Sequence, residues 1–232
     1  RPERGRDVPQ DNPHSAVALL DTFDKHDRPL FKGTAFVLSN SESTIVTSYH
    51  TIAGVHHARL TFPEGTAAPV QGVQGADRAK DIVFLKVSAG GLPNLKDADQ
   101  PVKLNDRVTV VGYPSGILQA VEGRVTAVGD LSGMGGEELF IVLDSPLGLG
   151  ASGGPVLDSY GKVAVVVSSE ASGSGHEVFA LSLEQVRTIR NGHPVTRLAD
   201  FSSKDAENSY CLYHQGNLIE QQGKLGEAME YY

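Results

Sequence analysis

The stretch GLGASGGP, residues 148–155, holds a single serine, Ser152, among four glycines and a closing proline. Glycine lets the backbone turn sharply and come close to a ligand, because no Cβ stands in the way. Backbone N–H groups freed in this way can point at a developing negative charge, which is what an oxyanion hole requires. Glycine, serine and proline also dominate ordinary surface turns, so the stretch on its own leaves a turn and a catalytic site open.

Length and composition narrow the classes of protein that the chain can be. Its 232 residues are enough for one large all-β unit or two small domains, with a core that needs no covalent cross-links. The formal net charge of −8 disfavours nucleic acid as a partner, since phosphate attracts positive charge. Cys211 is the one cysteine, so no intrachain disulfide forms, and disulfide-rich secreted proteases are excluded as close relatives. No apolar run approaches the roughly 20 residues of a membrane span.

Short apolar segments separated by turn signals recur through most of the chain, a spacing typical of a β-sandwich or β-barrel. In the first half, strands are predicted at residues 16–20, 32–38, 44–47, 58–62, 69–75 and 82–87. In the second half, strands are predicted at residues 107–114, 119–128, 138–144, 155–157, 162–168 and 177–181, with a short helix at 184–189. The polar residues 88–105 separate the halves. The sequence therefore predicts an all-β double barrel, with an extended tail at 1–13, a first barrel at 14–92 and a second barrel with its closing helix at 93–200.

Two polar residues upstream of the serine stand next to apolar strands. His50 follows an apolar run at a strand end, a place from which a base can be presented. His56 and His57 are given no role, since adjacent side chains diverge in an extended chain. Asp81 opens the apolar run Ile-Val-Phe-Leu, and a buried carboxylate needs a partner such as the Nδ1–H of a histidine. Asp77 lacks such a run and is interpreted as a turn residue.

These residues occur in the segments IVTSYHTIAG, DRAKDIVFLKV and GASGGPVLDSYGKV, in the chain order His, Asp, Ser. This order is that of trypsin-like serine proteases, and the three segments are specific in combination. KGTAFVLS, VGYPSG, GRVTAVGDL and FALSL further resemble the high-temperature-requirement (HtrA-like) branch, over roughly residues 14–190. The resemblance implies two six-stranded antiparallel barrels of the trypsin type and a bacterial serine endopeptidase of protein quality control or regulated proteolysis. It also implies polypeptide substrates, no metal or cofactor, and an extracytoplasmic (periplasmic or secreted) location.

The resemblance also assigns roles to residues. The implied catalytic triad is His50, Asp81 and Ser152: the serine attacks, the histidine takes and returns the proton, and the aspartate orients the histidine. The N–H groups of Gly150 and Ser152 form the implied oxyanion hole. The implied pocket for the side chain before the cut is lined by Pro146, Leu147, Val167, Ser168, Ser169 and Val178. No acidic residue stands at Pro146, where trypsin has one, so small or medium apolar side chains are expected there rather than basic ones.

The C-terminal part changes character, because residues 206–232 contain no proline and carry apolar residues at helical spacing. Two helices that break near Gly223 are predicted. Their shared apolar face, expected to be partly uncovered or packed on a neighbour, consists of Leu212, Ile219, Leu225 and Ala228. The segment HQGNLIEQQGKLGEAMEYY resembles a tetratricopeptide repeat, with Gln215 in place of the usual leucine. One repeat cannot bury its face alone, so residues 203–232 are expected to start a longer array that binds a protein partner. A closing helix pair on the protease is the alternative.

The chain departs from the resembled protease branch in several places. No PDZ domain is recognised after the protease. Ala151 precedes the nucleophile, so activation by insertion of a new N-terminus is not expected, and the turn at 22–31 is too short for a long lid loop. A glycine-rich loop at 129–137 is expected to switch between ordered and disordered states, which predicts a partly latent enzyme with a peptide before the serine that can flip. Two other functions stay open: a catalytically idle scaffold that recruits partners through its repeats, and an acyltransferase or esterase with the same triad.

Overall fold

The structure, a computed structural model, describes residues 12–38, 44–130, 139–170, 176–189, 194–201, 209–221 and 225–229. Within these residues, twelve strands form two closed antiparallel barrels of six strands each. The double-barrel fold predicted from the sequence is confirmed. Most of the N-terminal tail, most of the glycine-rich loop and the expected helix break near Gly223 lie outside the described residues.

The first barrel consists of β1 Val17–Phe23, β2 Pro29–Val37, β3 Thr44–Ser48, β4 His57–Thr61, β5 Ala67–Asp77 and β6 Ile82–Val87. Its strands follow one another in the order β1-β2-β3-β6-β5-β4, and β3 runs directly into the one-turn helix α1, Tyr49–Ile52. Successive side chains of a strand point to opposite faces. Val83 and Leu85 therefore face the barrel interior, while Ile82 and Phe84 face the second barrel. Burial on both faces explains why β6 is a continuous apolar run.

The second barrel consists of β7 Arg107–Gly112, β8 Gln119–Asp130, β9 Leu139–Asp144, β10 Pro155–Leu157, β11 Val163–Glu170 and β12 Glu177–Ser182. Its order is β7-β8-β9-β12-β11-β10. Helix α2, Leu183–Thr188, follows β12 and starts with a capping box. The Ser182 hydroxyl accepts from the Gln185 backbone N–H at 3.3 Å, and the Gln185 side chain accepts from the Ser182 N–H at 3.0 Å.

The two barrels share a core where they meet. Phe36 and Phe84 of the first barrel pack in one cluster with Val111, Leu157 and Val166 of the second. All five side chains are buried. This shared core fixes the barrels against each other, so loops from both can contribute side chains to one cleft.

Residues 194–201 return to the first barrel, although the second barrel was predicted to extend to residue 200. Thr196 and Val73 of β5 exchange two backbone hydrogen bonds, with N–O distances of 2.9 and 2.7 Å. Helix α3, Leu198–Phe201, then buries Leu198 in the core of the first barrel. The chain is thereby anchored at the first barrel before the last helices begin.

The last helices, α4 Ser209–Gln221 and α5 Leu225–Ala228, pack on the first barrel. Ile219 and Ala228 are buried among the core residues of this barrel, so the first barrel covers these two residues of the expected face. The anchored residues 194–201 bring the helices within reach of the barrel, where burying their apolar side chains is favourable. Among the helices of the described ranges, none has both the length and the apolar character that crossing a bilayer requires.

Candidate active site

His50 lies two residues after the end of β3, on α1, a single helical turn that was not predicted from the sequence. The start of this helix is held by Asp81. The Tyr49 N–H donates to the Asp81 backbone carbonyl at 3.0 Å, and the His50 N–H donates to Asp81 Oδ1 at 2.9 Å. β3 and β6 are paired neighbours, and Ser48 lies opposite Ile82. Tyr49, which follows Ser48, therefore meets Asp81, which precedes Ile82.

The side chains of His50 and Asp81 form a buried pair. His50 Nδ1 lies 2.6 Å from Asp81 Oδ2, and the two side chains are only 1% and 2% exposed. Asp81 has a φ of 54°, a left-handed conformation that aspartate tolerates better than most residues. Its neighbour Asp77 accepts from the Lys80 backbone N–H at 3.1 Å and stays in the turn, outside the pair. The carboxylate of Asp81 is thus satisfied by the backbone and the ring of one histidine.

The loop of Ser152 is pressed against the start of α1. A 3-10 turn, Gly148–Ala151, leads into Ser152, and the following residue Gly153 has a φ of 76°, which suits glycine. A Cβ at Gly153 would overlap the backbone nitrogen of Ser48, two residues before His50. The Gly153 N–H also donates to the Val167 carbonyl at 2.9 Å. This packing places the segment that carries Ser152, in the second barrel, next to the segment that carries His50, in the first.

The residues expected to line the specificity pocket differ from one another in burial and in the contacts that they make. Three of them are buried in one core cluster of the second barrel: Leu147, Val167 and Val178. Pro146 is exposed, and the side chain of Ser169 is outside those described. The half-buried Ser168 donates its hydroxyl to the carbonyl of Lys80 at 2.9 Å. Ser168 therefore holds the backbone next to Asp81.

Helix α4 contributes two residues that the sequence analysis did not assign to the site. The Gln215 side-chain amide donates to the carbonyls of His50 and Ala53, at 2.8 Å each. The ring of His214 stacks on that of His50, with 4.9 Å between centroids and 29° between planes. Burial, and then the nearby His50, lowers the pKa of His214 to about 4. In the sequence, the one sign of this contact was Gln215 itself, which stands where a tetratricopeptide repeat usually has leucine.

Helix α4 also packs against both barrels next to the site. It contacts α1 and β2 of the first barrel, and the 3-10 turns Pro114–Gly116 and Gly148–Ala151 of the second. Ser152 is only 4% exposed and His50 only 1%. Both side chains therefore have little accessible surface while α4 keeps its place.

Comparisons with known proteins agree with this architecture. The model of the trypsin-like peptidase domain family matches residues 33–166, more than half of the chain. The chain belongs to this family. The enzyme class predicted from the sequence, a serine endopeptidase, is the class of these trypsin-like peptidases.

Its relatives include proteins named probable periplasmic serine endoprotease DegP-like. The protein from Brucella suis is 32% identical over 157 residues, which cover 66% of this chain and 30% of that protein. The protein from Chlamydia trachomatis is 29% identical, with 64% and 30% covered. This trypsin-like peptidase thus spans about 30% of the length of these relatives.

Solved structures show the same fold. The active form of the Rv3671c protease from M. tuberculosis superimposes with a TM-score of 0.67 at 23% identity, covering 82% of this chain and 87% of that one. The HtrA-type protease AlgW with a tripeptide gives a TM-score of 0.64 at 25% identity, covering 77% and 61%. Together with the DegP-like relatives, the AlgW structure supports the HtrA-like branch that the sequence resembles.

Proposed function

We propose that the chain is a serine endopeptidase that cleaves polypeptides with His50, Asp81 and Ser152 as its triad. The observation that carries the proposal is the buried contact of His50 Nδ1 with Asp81 Oδ2 at 2.6 Å, beside a serine loop packed against α1. A histidine held at Nδ1 by a carboxylate leaves Nε2 to accept a proton. An idle scaffold has no need of such a pair, so the geometry favours catalysis over the binding-module alternative.

The proposed reaction follows from these positions. Ser152 Oγ attacks the scissile carbonyl while its proton passes to His50 Nε2, and Asp81 stabilises the imidazolium that forms. The N–H groups of Gly150 and Ser152 donate to the oxyanion of the tetrahedral intermediate. His50 then returns the proton to the leaving amine, which gives an acyl-enzyme, and an activated water releases the acid product.

Replacement of Ser152 by alanine tests this proposal. Ser152→Ala is expected to lose casein cleavage and labelling by a fluorophosphonate probe, with a melting temperature close to that of the wild type. Ser159→Ala, in an exposed turn, is the matched control and keeps both activities. Casein cleavage retained by Ser152→Ala would contradict the triad, and a wild type that the probe does not label would favour the idle scaffold.

Substrate preference is proposed from the residues around the pocket. Leu147, Val167 and Val178 are apolar and packed together, and Pro146 stands where a carboxylate would select basic side chains. We propose small or medium apolar side chains before the cut. The same assay extended to peptides with valine or lysine at that position separates the two preferences, and ester substrates separate a peptidase from an esterase.

The role of the C-terminal helices is also a proposal. The helix pair α4 and α5, together with the sequence pattern of residues 214–232, supports the start of a tetratricopeptide array that binds a protein partner. Since α4 lies on α1, such a partner would act next to the active site. The names of the DegP-like relatives support an extracytoplasmic enzyme of protein quality control or regulated proteolysis.

A further inference from the structure

The hydroxyl of Thr34, in the first barrel, forms hydrogen bonds with the backbone of the second barrel. Thr34 lies on β2 and is fully buried. Its Oγ1 donates to the Gly150 carbonyl at 2.8 Å and accepts from the Tyr113 N–H at 2.8 Å. The Thr34 carbonyl in turn accepts from the hydroxyl of Thr47 on β3 at 2.7 Å. The Thr34 hydroxyl thereby joins β2 to the serine loop and to Tyr113, the residue that follows β7.

The bond to Gly150 acts on the peptide between the two proposed oxyanion donors. The Gly150 carbonyl belongs to the peptide that joins Gly150 to Ala151. One proposed donor, the Gly150 N–H, lies in the peptide before it, and the other, the Ser152 N–H, lies in the peptide after it. Glycine has wide backbone freedom, so an anchor on the Gly150 carbonyl limits the orientations open to the two flanking peptides and their N–H groups.

Two glycines of the second barrel, Gly112 and Gly154, leave the space that this contact occupies. A Cβ at Gly112 would lie 2.9 Å from the Gly150 carbonyl oxygen and 3.0 Å from Thr34 Oγ1. A Cβ at Gly154 would lie 3.0 Å from Thr34 Cγ2. Any larger side chain at Gly112 or Gly154 would therefore press on the bridge. The close approach of the two barrels here fixes where the hydroxyl points.

We propose that Thr34 is a positioning residue, which holds the Gly150–Ala151 peptide so that both oxyanion donors face the substrate. This inference rests on the proposed function, because it assumes that Gly150 and Ser152 stabilise an oxyanion. Loss of an oxyanion donor typically lowers the rate by about 10²–10³-fold. Thr34 acts through such a donor, so its loss is expected to lower kcat by roughly 10–100-fold, with KM changed less than about threefold.

The test compares variants that differ in the hydroxyl. Thr34→Val and Thr34→Ala lack it and are expected to lose kcat, whereas Thr34→Ser keeps it and retains most of the wild-type rate. Thr34→Ser and Thr34→Ala differ by one hydroxyl, and both side chains are smaller than threonine and fit the site. Their kcat values can therefore be compared even if Thr34→Val fails to fold. Inhibition by a peptide boronate, whose tetrahedral adduct occupies an oxyanion hole, is expected to weaken in parallel with kcat/KM.

Thr22 provides a matched control in the same barrel. Its buried hydroxyl donates to the Phe31 carbonyl and accepts from the Phe31 N–H, at 2.9 Å each. Thr22→Val therefore loses the same pair of bonds away from Gly150, and it is expected to lower the melting temperature while leaving kcat per folded molecule unchanged. A kcat in Thr34→Ala equal to that of Thr34→Ser overturns the role of Thr34 and leaves the triad standing. A wild type without turnover or fluorophosphonate labelling overturns both proposals.

Discussion

Asp81 is the residue on which the histidine depends most. It accepts a ring N–H and a backbone N–H from His50, and its own backbone carbonyl accepts from Tyr49, so one residue sets both the orientation of the ring and the start of α1. Its left-handed backbone ends the turn that begins at Arg78, whose carbonyl accepts from the Asp81 N–H at 3.2 Å. The same residue therefore serves the local fold and the proposed chemistry.

Asp81→Asn is expected to lower kcat by roughly 10³–10⁴-fold, because an amide cannot stabilise the imidazolium and favours the wrong tautomer. Asparagine also tolerates the left-handed backbone, so the fold is expected to stay intact. Peptide hydrolysis measured at saturating substrate, with circular dichroism as the check on folding, reports the effect. Asp77→Asn, four residues away in the same turn, is the control with nearly unchanged kcat. A rate for Asp81→Asn within tenfold of the wild type contradicts the role of Asp81.

Among the elements, we expect α4 to control access to the proposed site, because it packs on α1 and on the turn before Ser152. Gln215 holds it by two hydrogen bonds to buried carbonyls of α1 and the residue that follows, and Cys211 packs against Tyr49 and Ala53. The helix also touches the 3-10 turn before Ser152. A single helix thus bridges the two segments that carry the histidine and the serine.

Gln215→Ala is expected to increase the rate at which a fluorophosphonate probe labels Ser152. Removing the amide leaves the carbonyls of His50 and Ala53 without these donors in the docked state, which costs about 1–3 kcal/mol. About 1.4 kcal/mol corresponds to a tenfold change in the docking equilibrium, so roughly tenfold faster labelling is expected. Glu220→Gln, on the exposed side of α4, is the control with an unchanged rate. Slower labelling of Gln215→Ala would mean that α4 supports the histidine rather than covering it.

The strands were predictable because burial on one or both faces leaves a clear apolar pattern. β6 and β10 have the predicted bounds, residues 82–87 and 155–157, and most others differ by one to three residues at their ends. The helix α1 was not predicted, because four residues are too few to show a helical period. His50 and Asp81 could be paired through chain order and the apolar run after Asp81.

The parts of the site that the sequence did not reveal depend on contacts between distant segments. Thr34 bonds to Gly150, 116 residues away, through a hydroxyl that in sequence is one ordinary threonine of a strand. Gln215 contacts His50 across 165 residues, and the repeat pattern around it predicted a helix pair without assigning Gln215 to the active site. Neither contact has a local pattern, because each arises only when the barrels and the last helices have packed.

On the scale of the whole molecule, the first barrel carries part of the proposed site and also packs against the last helices of the chain. It carries His50, Asp81 and Thr34, and it also receives α3, Ile219 and α5 from the far end of the chain. The second barrel supplies the serine loop through the shared core. Because α4 is packed on the first barrel and over the cleft, the docking of the last helices and the stability of the chain are expected to be linked.

The pH dependence of unfolding tests this link through His214. Burial lowers the pKa of His214 from 6.5 to about 4, so the unfolded chain takes up a proton more readily than the folded one. The stabilisation from neutral His214 is therefore complete above about pH 6.5 and is lost as the pH falls toward 4. His50 and Asp81 face the ring and act in opposite directions: the first lowers and the second raises its pKa. Since the net shift is downward, acid is expected to loosen α4.

His214→Phe removes the titrating group and keeps a ring to stack on His50. As the pH falls from 7 to 5, the wild type loses stability through His214 and the variant does not. The free energy of unfolding of the variant, minus that of the wild type, is therefore expected to rise by about 1–2 kcal/mol. Urea unfolding in a Ser152→Ala background measures this difference without self-cleavage. His56→Phe, at an exposed histidine, serves as the control with a constant difference. A constant difference for His214→Phe as well would show that α4 is not docked through a neutral His214 in solution.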